Sequence, residues 1–236
     1  MAAKLEAQKK KEGQDSSEMI GDFLQRYRIV FFIGLISVLV ILAGFITFSI
    51  VRGKLLSSAL SEVDGFNNRY EALKSYIDSS DADALLKQVD LLLLLEEISN
   101  FTFKKSGFPA ARAWNIAAEI YFAQKNWNKA EEAWVKAANA APKTYLAPVS
   151  LFNAGTAAEE QENMELAIDY YKKSLENEAI FPSAARSQFS IGRLEESRGD
   201  IPAALEAYRN ILSKWPGDLI WSNLAQSRIL VLTEYQ

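Results

Sequence analysis

The most regular feature of the hydropathy pattern is an uninterrupted apolar stretch near the N-terminus. Residues 29–51 read IVFFIGLISVLVILAGFITFSIV and contain no charged residue. As an α-helix this stretch would be about 34 Å long, and the hydrocarbon core of a bilayer is about 30 Å thick. Arg26, Arg28, Arg52 and Lys54 flank it on its two sides. The pattern predicts a single transmembrane helix. A buried core helix and a cleaved signal peptide, whose apolar core has only about 7–15 residues, are the alternatives.

The C-terminal half shows a different pattern, in which small and aromatic residues recur every 37 residues. The recurring positions are Ala118, Gly155 and Gly192, then Ala130, Ala167 and Ala204, and finally Trp134, Tyr171 and Tyr208. A period of about 20–50 residues is typical of stacked repeats. The second and third series are four residues apart and therefore share a helix face. We expect each unit to be a hairpin of two antiparallel helices that approach closely at the small residues.

The start of each second helix is marked by a residue that can cap it. Asn126, Asn163 and Asp200 recur at the same spacing, and their side chains can accept a hydrogen bond from a free backbone N–H of the first helical turn. Pro202 is predicted to occupy the first helical position after Asp200. The pattern therefore predicts an all-α fold.

These positions together resemble the tetratricopeptide repeat family. The residues that carry the resemblance are Trp114, Ala117, Ala118, Tyr121, Ala130, Trp134, Ala137 and Pro142 in the first copy, with weaker copies around Gly155 and Gly192. The family repeat has about 34 residues, so each unit here is longer. The family's tyrosine at position eleven of the motif is present in the first copy as Tyr121 and is replaced by Ala158 and Glu195 in the other two. The resemblance implies a right-handed superhelix over residues 109–236, with three repeats and a C-terminal capping helix.

The segments before the repeats are less distinctive. Residues 52–108 predict a helical hairpin, a degenerate first repeat with helices from Leu55 to about Ser79 and from a cap at Asp81 to about Lys105. The Leu91–Leu95 run in the second helix indicates either a core helix or a docking face for a partner or a second copy. The leader 1–28 is predicted to be disordered. Its six basic residues favour a cytoplasmic N-terminus and hence a periplasmic repeat domain.

Charge and composition exclude several classes of function. Residues 52–236 carry 20 basic and 25 acidic side chains, a balance that argues against nucleic-acid binding. The chain has no histidine and no cysteine, so it lacks the commonest general base, the thiol nucleophile and most zinc ligands. We expect a protein that is not an enzyme and that has no metal or cofactor.

The resemblance implies that partners bind in a concave groove lined by the first helix of each repeat. Carrying the family's groove positions onto this chain predicts a partner-binding site at Arg112, Asn115, Glu119, Phe122, Phe152, Arg186, Phe189 and Arg193. The corresponding positions of the second and third repeats also include Val149, Thr156, Glu159 and Glu196. Phenylalanines framed by charges suit a peptide or an amphipathic helix. Alternatively, the phenylalanines pack between neighbouring helices.

The order of leader, anchor and repeats is similar to that of the ancillary subunit of the bacterial Sec translocon. This similarity implies an inner-membrane adaptor whose repeats hold partner proteins, translocon components or chaperones among them, in the periplasm. Two alternatives stay open. One is a structural subunit of an envelope machine, such as the periplasmic collar of a spirochaete flagellar motor, and the other is a receptor of the mitochondrial import type. A homo-oligomer is compatible with each.

Overall fold

The computed structural model describes the backbone of residues 2–74 and 82–234, and the side chains of residues 21, 23, 25–74, 86 and 88–234. Within these ranges the fold is all-α, as predicted, with no strand. The helices are α1 (Ala2–Lys74), α2 (Ala82–Lys104), α3 (Gly107–Ala123), α4 (Trp127–Ala140), α5 (Leu146–Glu160), α6 (Met164–Leu175), α7 (Ala184–Ser197), α8 (Ile201–Lys214) and α9 (Leu219–Glu234). A short 3-10 turn, Glu178–Ile180, lies between α6 and α7.

The apolar stretch lies within the long helix α1. Among the described residues this is one helix that is long and apolar enough to cross a membrane, a property of length and composition that signal sequences share, and none of its apolar window is buried. It is therefore not a core helix of the described fold. The helix also continues back to Ala2, where the sequence predicted a disordered leader. Alanine, lysine, glutamate and glutamine dominate there and are good helix formers, and no proline interrupts the segment.

Residues 58–74 of α1 pair with α2 around an apolar core. Val63, Phe66 and Tyr70 are buried in one cluster with Leu91 and Ile98. The Leu91–Leu95 run divides between two faces, since residues 91, 94 and 95 are buried whereas residues 92 and 93 are 62% and 49% exposed. The described part of this helix runs to Lys74, and its predicted end near residue 79 lies outside the described residues. The predicted cap at Asp81 lies outside the described residues.

Three hairpins follow, α3–α4, α5–α6 and α7–α8, and one tight turn recurs in all of them. Two residues beyond the end of each first helix lies a residue with positive φ, which is Lys125 (58°), Glu162 (59°) or Gly199 (80°). The next residue donates its backbone N–H to a carbonyl five positions earlier, as Asn126 does to Tyr121 at 2.8 Å. This Schellman arrangement satisfies carbonyls that the helix end would otherwise leave free.

The residue that closes this turn also caps the following helix, as predicted. Asn126, Asn163 and Asp200 each accept a hydrogen bond from the backbone N–H three residues later, at 3.4, 3.2 and 3.0 Å. Because α8 begins at Ile201, Pro202 takes the second helical position and not the first. Proline is still tolerated there, because N–H groups in the first turn have no partner within the helix.

The predicted close approach of the two helices is confirmed, and its cause is an aromatic ring. A Cβ atom on Gly155 would lie 2.7 Å from Cε1 of Tyr171, and a Cβ atom on Gly192 would lie 2.6 Å from Cε1 of Tyr208. In the first hairpin Ala118, in the equivalent position, shares one buried cluster with the second-helix aromatic. The small residue therefore makes room for the ring of the second helix.

The last helix, α9, differs from a typical capping helix. One side packs on α8, with Ala225 fully buried. The other side exposes Leu219 and Ile220, both 69% accessible, together with Leu224 and Leu230. Terminal caps of helical repeats usually present a polar outer face. The exposed side of α9 instead mixes these apolar residues with polar ones such as Asn223, Gln226 and Ser227.

Candidate functional site

The predicted groove residues come from helices that neighbour one another in the stack. Helix α3 contacts α5, and α7 contacts α9. Groove positions within each helix are three or four residues apart and so lie on one side of it. We call this surface the first-helix face. It comprises residues 112, 115, 119 and 122 of α3, residues 149, 152, 156 and 159 of α5, and residues 186, 189, 193 and 196 of α7.

The three phenylalanines of the first-helix face stack on aromatic rings of their own second helices. Ring centroids are 5.3 Å apart between Phe122 and Trp134, and 5.2 Å apart both between Phe152 and Tyr171 and between Phe189 and Tyr208. Phe152 is only 6% exposed, so its ring packs beneath the first-helix face and is not available to a partner. Residues 122 and 189 are half-buried and keep part of each ring at the surface.

Two of the predicted polar groove residues, both on α3, are tied into the hairpin. Asn115 accepts a hydrogen bond from the indole N–H of Trp134 at 3.1 Å and donates one to Glu119 at 2.6 Å. Burial raises the pKa of the Glu119 carboxyl above its ordinary value, and the hydrogen bond from Asn115 opposes this rise. Both side chains are half-buried. Their hydrogen bonds thus already serve the fold.

A tyrosine–glutamate pair recurs in the second and third hairpins. The hydroxyl of Tyr171 donates to Glu159, and the hydroxyl of Tyr208 donates to Glu196 at 3.0 Å. Burial raises the pKa of both tyrosines, and the neighbouring carboxylates raise it further. Each carboxylate also pairs with an arginine of the next first helix, since Glu159 contacts Arg193 and Glu196 contacts Arg228. These pairs join successive hairpins along the first-helix face.

The arginines of the first-helix face are the most accessible of its predicted binding residues. Arg112 forms an ion pair of 2.8 Å with Asp64. Arg186 is exposed, and its guanidinium lies 4.9 Å from the ring centroid of Phe152, a cation–π geometry. Arg193 is exposed despite its ion pair, with 47% of its side chain accessible. Helix α7 therefore places two exposed arginines around the half-buried ring of Phe189.

Several features of this site were not predicted from the sequence. The tyrosine–glutamate–arginine chain was not predicted, although the 37-residue spacing of Glu159 and Glu196 was a signal for it. Nothing in the sequence of α5 indicated that the Phe152 side chain is buried. Among the described residues, no group of three or more acidic side chains is arranged to hold a metal ion.

Comparison with known proteins identifies the repeats. The tetratricopeptide repeat family matches residues 109–177 and, in a second form, residues 152–218. The chain is 35% identical over 147 residues to a TPR repeat-containing protein of Treponema pallidum (strain Nichols), a match that covers 62% of this chain and 60% of that relative. The match thus spans less than two thirds of the relative's length.

Two solved structures are similar to part of this chain. The crystal structure of MamA has a TM-score of 0.45 and 21% identity, and the match covers 67% of this chain and 92% of that one. The structure of YrrB, described as a TPR protein with an unusual peptide-binding site, has a TM-score of 0.45 and 20% identity, with 73% and 84% covered.

Tetratricopeptide repeats are typically non-enzymatic scaffolds for protein–protein interaction. The family matches cover the three hairpins described above, from α3 to α8. Residues 109–218 of this protein therefore match the tetratricopeptide repeat family.

Proposed function

We propose that this protein is a membrane-tethered scaffold that binds segments of partner proteins on its first-helix face. The observation that carries the proposal is the surface of α7, where exposed Arg186 and Arg193 flank the half-buried ring of Phe189. An apolar centre with a charged frame is suited to an amphipathic helix or peptide that carries acidic residues. Arg112 lies at the α3 end of the same face, where Asp64 pairs with it.

A photo-crosslinking experiment in native membranes tests this surface. A photoreactive amino acid in place of Arg186 should give discrete crosslinked products with partner proteins. The same amino acid in place of Arg209, an exposed arginine of the second helix α8, is the matched control and should give fewer products. Equal products from both positions, or none from residue 186, would refute the first-helix face as the binding surface.

The tether itself rests on the apolar part of α1. Its length and full exposure suit a bilayer span, and the six basic residues of the leader suit a cytoplasmic N-terminus. In this arrangement the repeats lie in the periplasm of a bacterial inner membrane. Alkaline carbonate should leave the chain in the membrane pellet, and protease added to spheroplasts should digest the repeats. Release by carbonate would contradict the anchor, and protection from protease would contradict the orientation.

The proposed scaffold has two forms, a transient adaptor and a permanent structural subunit, and they differ in how their partners bind. An adaptor of the translocon- or chaperone-associated type would crosslink substoichiometrically to many clients. A structural subunit of an envelope machine, such as a spirochaete flagellar collar, would co-purify at a fixed ratio with one large assembly. The related repeat protein comes from Treponema pallidum, a spirochaete, and this source supports the structural subunit as the second form. Quantitative mass spectrometry of the crosslinked complexes separates the two.

A further inference from the structure

The third hairpin contains a polar cleft away from the first-helix face. It lies between α6, α7 and α8 and has a volume of about 280 Å³. Gln188, Ile191 and Glu195 of α7 form its floor, Glu206 and Asn210 of α8 line one side, and Lys172 of α6 lies on the other. Sites for whole drug-sized ligands occupy about 300–1,000 Å³. The third-hairpin cleft is therefore of a size for one extended side chain.

The first hairpin has an equivalent cleft, of about 210 Å³, that aromatic residues line. A shift of two repeats, 74 residues, places Trp114 at the position of Gln188 and Tyr121 at the position of Glu195. In the first hairpin the ammonium groups of Lys136 and Lys129 lie 4.7 and 5.5 Å from the centroids of these two rings. The third hairpin has thus exchanged two large aromatic side chains for polar ones at the same place.

The exchanged side chains are largely buried, and both line the cleft. Gln188 is 9% exposed and Glu195 is 8% exposed. Within the part of the chain that the structure describes, the Gln188 amide makes no hydrogen bond, and the nearest cation to Glu195 is Arg198 at 3.6 Å. A carboxylate and an amide that line a cleft favour a ligand that supplies hydrogen-bond donors and positive charge.

We propose that the third-hairpin cleft binds a basic side chain, arginine or lysine, of a partner protein. The head group reaches the Glu195 carboxylate and the carbonyl oxygen of the Gln188 amide, with the Glu206 carboxylate beside it. The methylene stem packs along Ile191, as long cationic side chains commonly do on apolar surface. The exposed Lys172 lies at the mouth and opposes entry of a cation. The proposal rests on the scaffold function but not on the first-helix face.

The test uses the full-length chain in detergent micelles, with tripeptides as probes. Ac-Gly-Arg-Gly-NH2 and its lysine counterpart should shift the side-chain amide NMR signals of Gln188 and Asn210, with a millimolar Kd. Ac-Gly-Glu-Gly-NH2 and Ac-Gly-Gly-Gly-NH2 should not. Equal shifts from all four peptides, or no shift from the basic ones, would overturn the proposal.

Variants that remove one charge locate the binding site and establish the charge of the ligand. Glu195→Gln should weaken binding of the arginine peptide about tenfold, whereas Lys172→Gln should tighten it. Glu132→Gln, which changes the residue equivalent to Glu206 in the first hairpin, should leave it unchanged. Unaltered binding by Glu195→Gln, or weaker binding by Lys172→Gln, would refute the proposal. Failure here leaves crosslinking from Arg186 untouched, so it is distinguishable from failure of the proposed scaffold function.

Discussion

The second and third hairpins each pack an aromatic ring on a glycine, which makes Gly192→Ala a sharp test of the fold. Alanine in a helix interior is more favourable than glycine by about 0.5–1 kcal/mol, so propensity alone predicts a more stable protein. The new Cβ atom, however, would lie 2.6 Å from Cε1 and 2.9 Å from Cδ1 of Tyr208. The two effects have opposite signs, and the freedom of the ring to move decides between them.

The Tyr208 ring has little freedom to move. It is fully buried, its hydroxyl donates to Glu196 at 3.0 Å, and Phe189 stacks against it with centroids 5.2 Å apart. Overpacking in such a site costs about 1–3 kcal/mol. Against the propensity gain, the expected net loss for Gly192→Ala is about 1 kcal/mol in the free energy of unfolding. The melting temperature should fall by about 2–4 °C for a domain of this size.

Urea and thermal unfolding of the full chain, followed by tryptophan fluorescence, measure this effect. All five tryptophans lie between residues 114 and 221, so the signal reports only the repeats and α9. The matched control is Gly65→Ala in α1, where no atom lies within 4 Å of the new Cβ. The control should not lower the tryptophan-detected stability. A Gly192→Ala variant at least as stable as Gly65→Ala would refute the close approach of the ring.

Three further predictions address the caps, the buried hydroxyls and the tyrosines. Asp200→Ala should lower the free energy of unfolding by about 1 kcal/mol because the cap of α8 is lost, and Asp200→Asn, which keeps an acceptor, should recover most of it in urea titrations. Ser150→Ala should be neutral or stabilising by up to about 1 kcal/mol, because the Ser150 hydroxyl is buried with no hydrogen-bond partner among the described residues. Ser187→Ala, which removes a hydroxyl that is hydrogen-bonded to a backbone carbonyl at 3.2 Å, should destabilise, and the opposite order of the two variants would contradict this reasoning. Burial raises the pKa of Tyr70 to about 12 and also raises that of Tyr208. Because the unfolded chain loses these protons first, near pH 10, stability is complete below pH 10 and falls as the pH rises toward 12. The urea midpoint at pH 11 should be below that at pH 8, and absorbance at 295 nm should show late ionisation of Tyr208 that Tyr208→Phe removes.

Much of the fold could be predicted because its signals are local. The caps at Asn126, Asn163 and Asp200 depend on an N–H only three residues away, and the repeat period places the two helices of each hairpin. The continuous α1 helix was the main exception. Its leader has the composition of a solvated tail, yet it contains no proline, and the helix passes through Gly13 and Gly21.

The site could be predicted only in part, because exposure depends on neighbouring helices. The sequence placed Phe152 and Phe189 at equivalent groove positions, but Phe152 is nearly covered whereas Phe189 is half-buried. The ring of Phe181, 6.1 Å from Phe152, helps to cover it from the loop before α7. No spacing within α5 indicates that this loop folds back.

The sequence by itself determined the helical repeat, its period, its caps and the apolar span. Each of these follows from hydrogen bonds and side-chain spacings within one helix or one turn, which the order of residues fixes directly. Only the tertiary structure decided that Phe152 is covered whereas Phe189 is half-buried, and that Gln188 and Glu195 line a polar cleft. Those outcomes depend on which distant helices cover a surface, and therefore on how much water and how many partners each side chain retains.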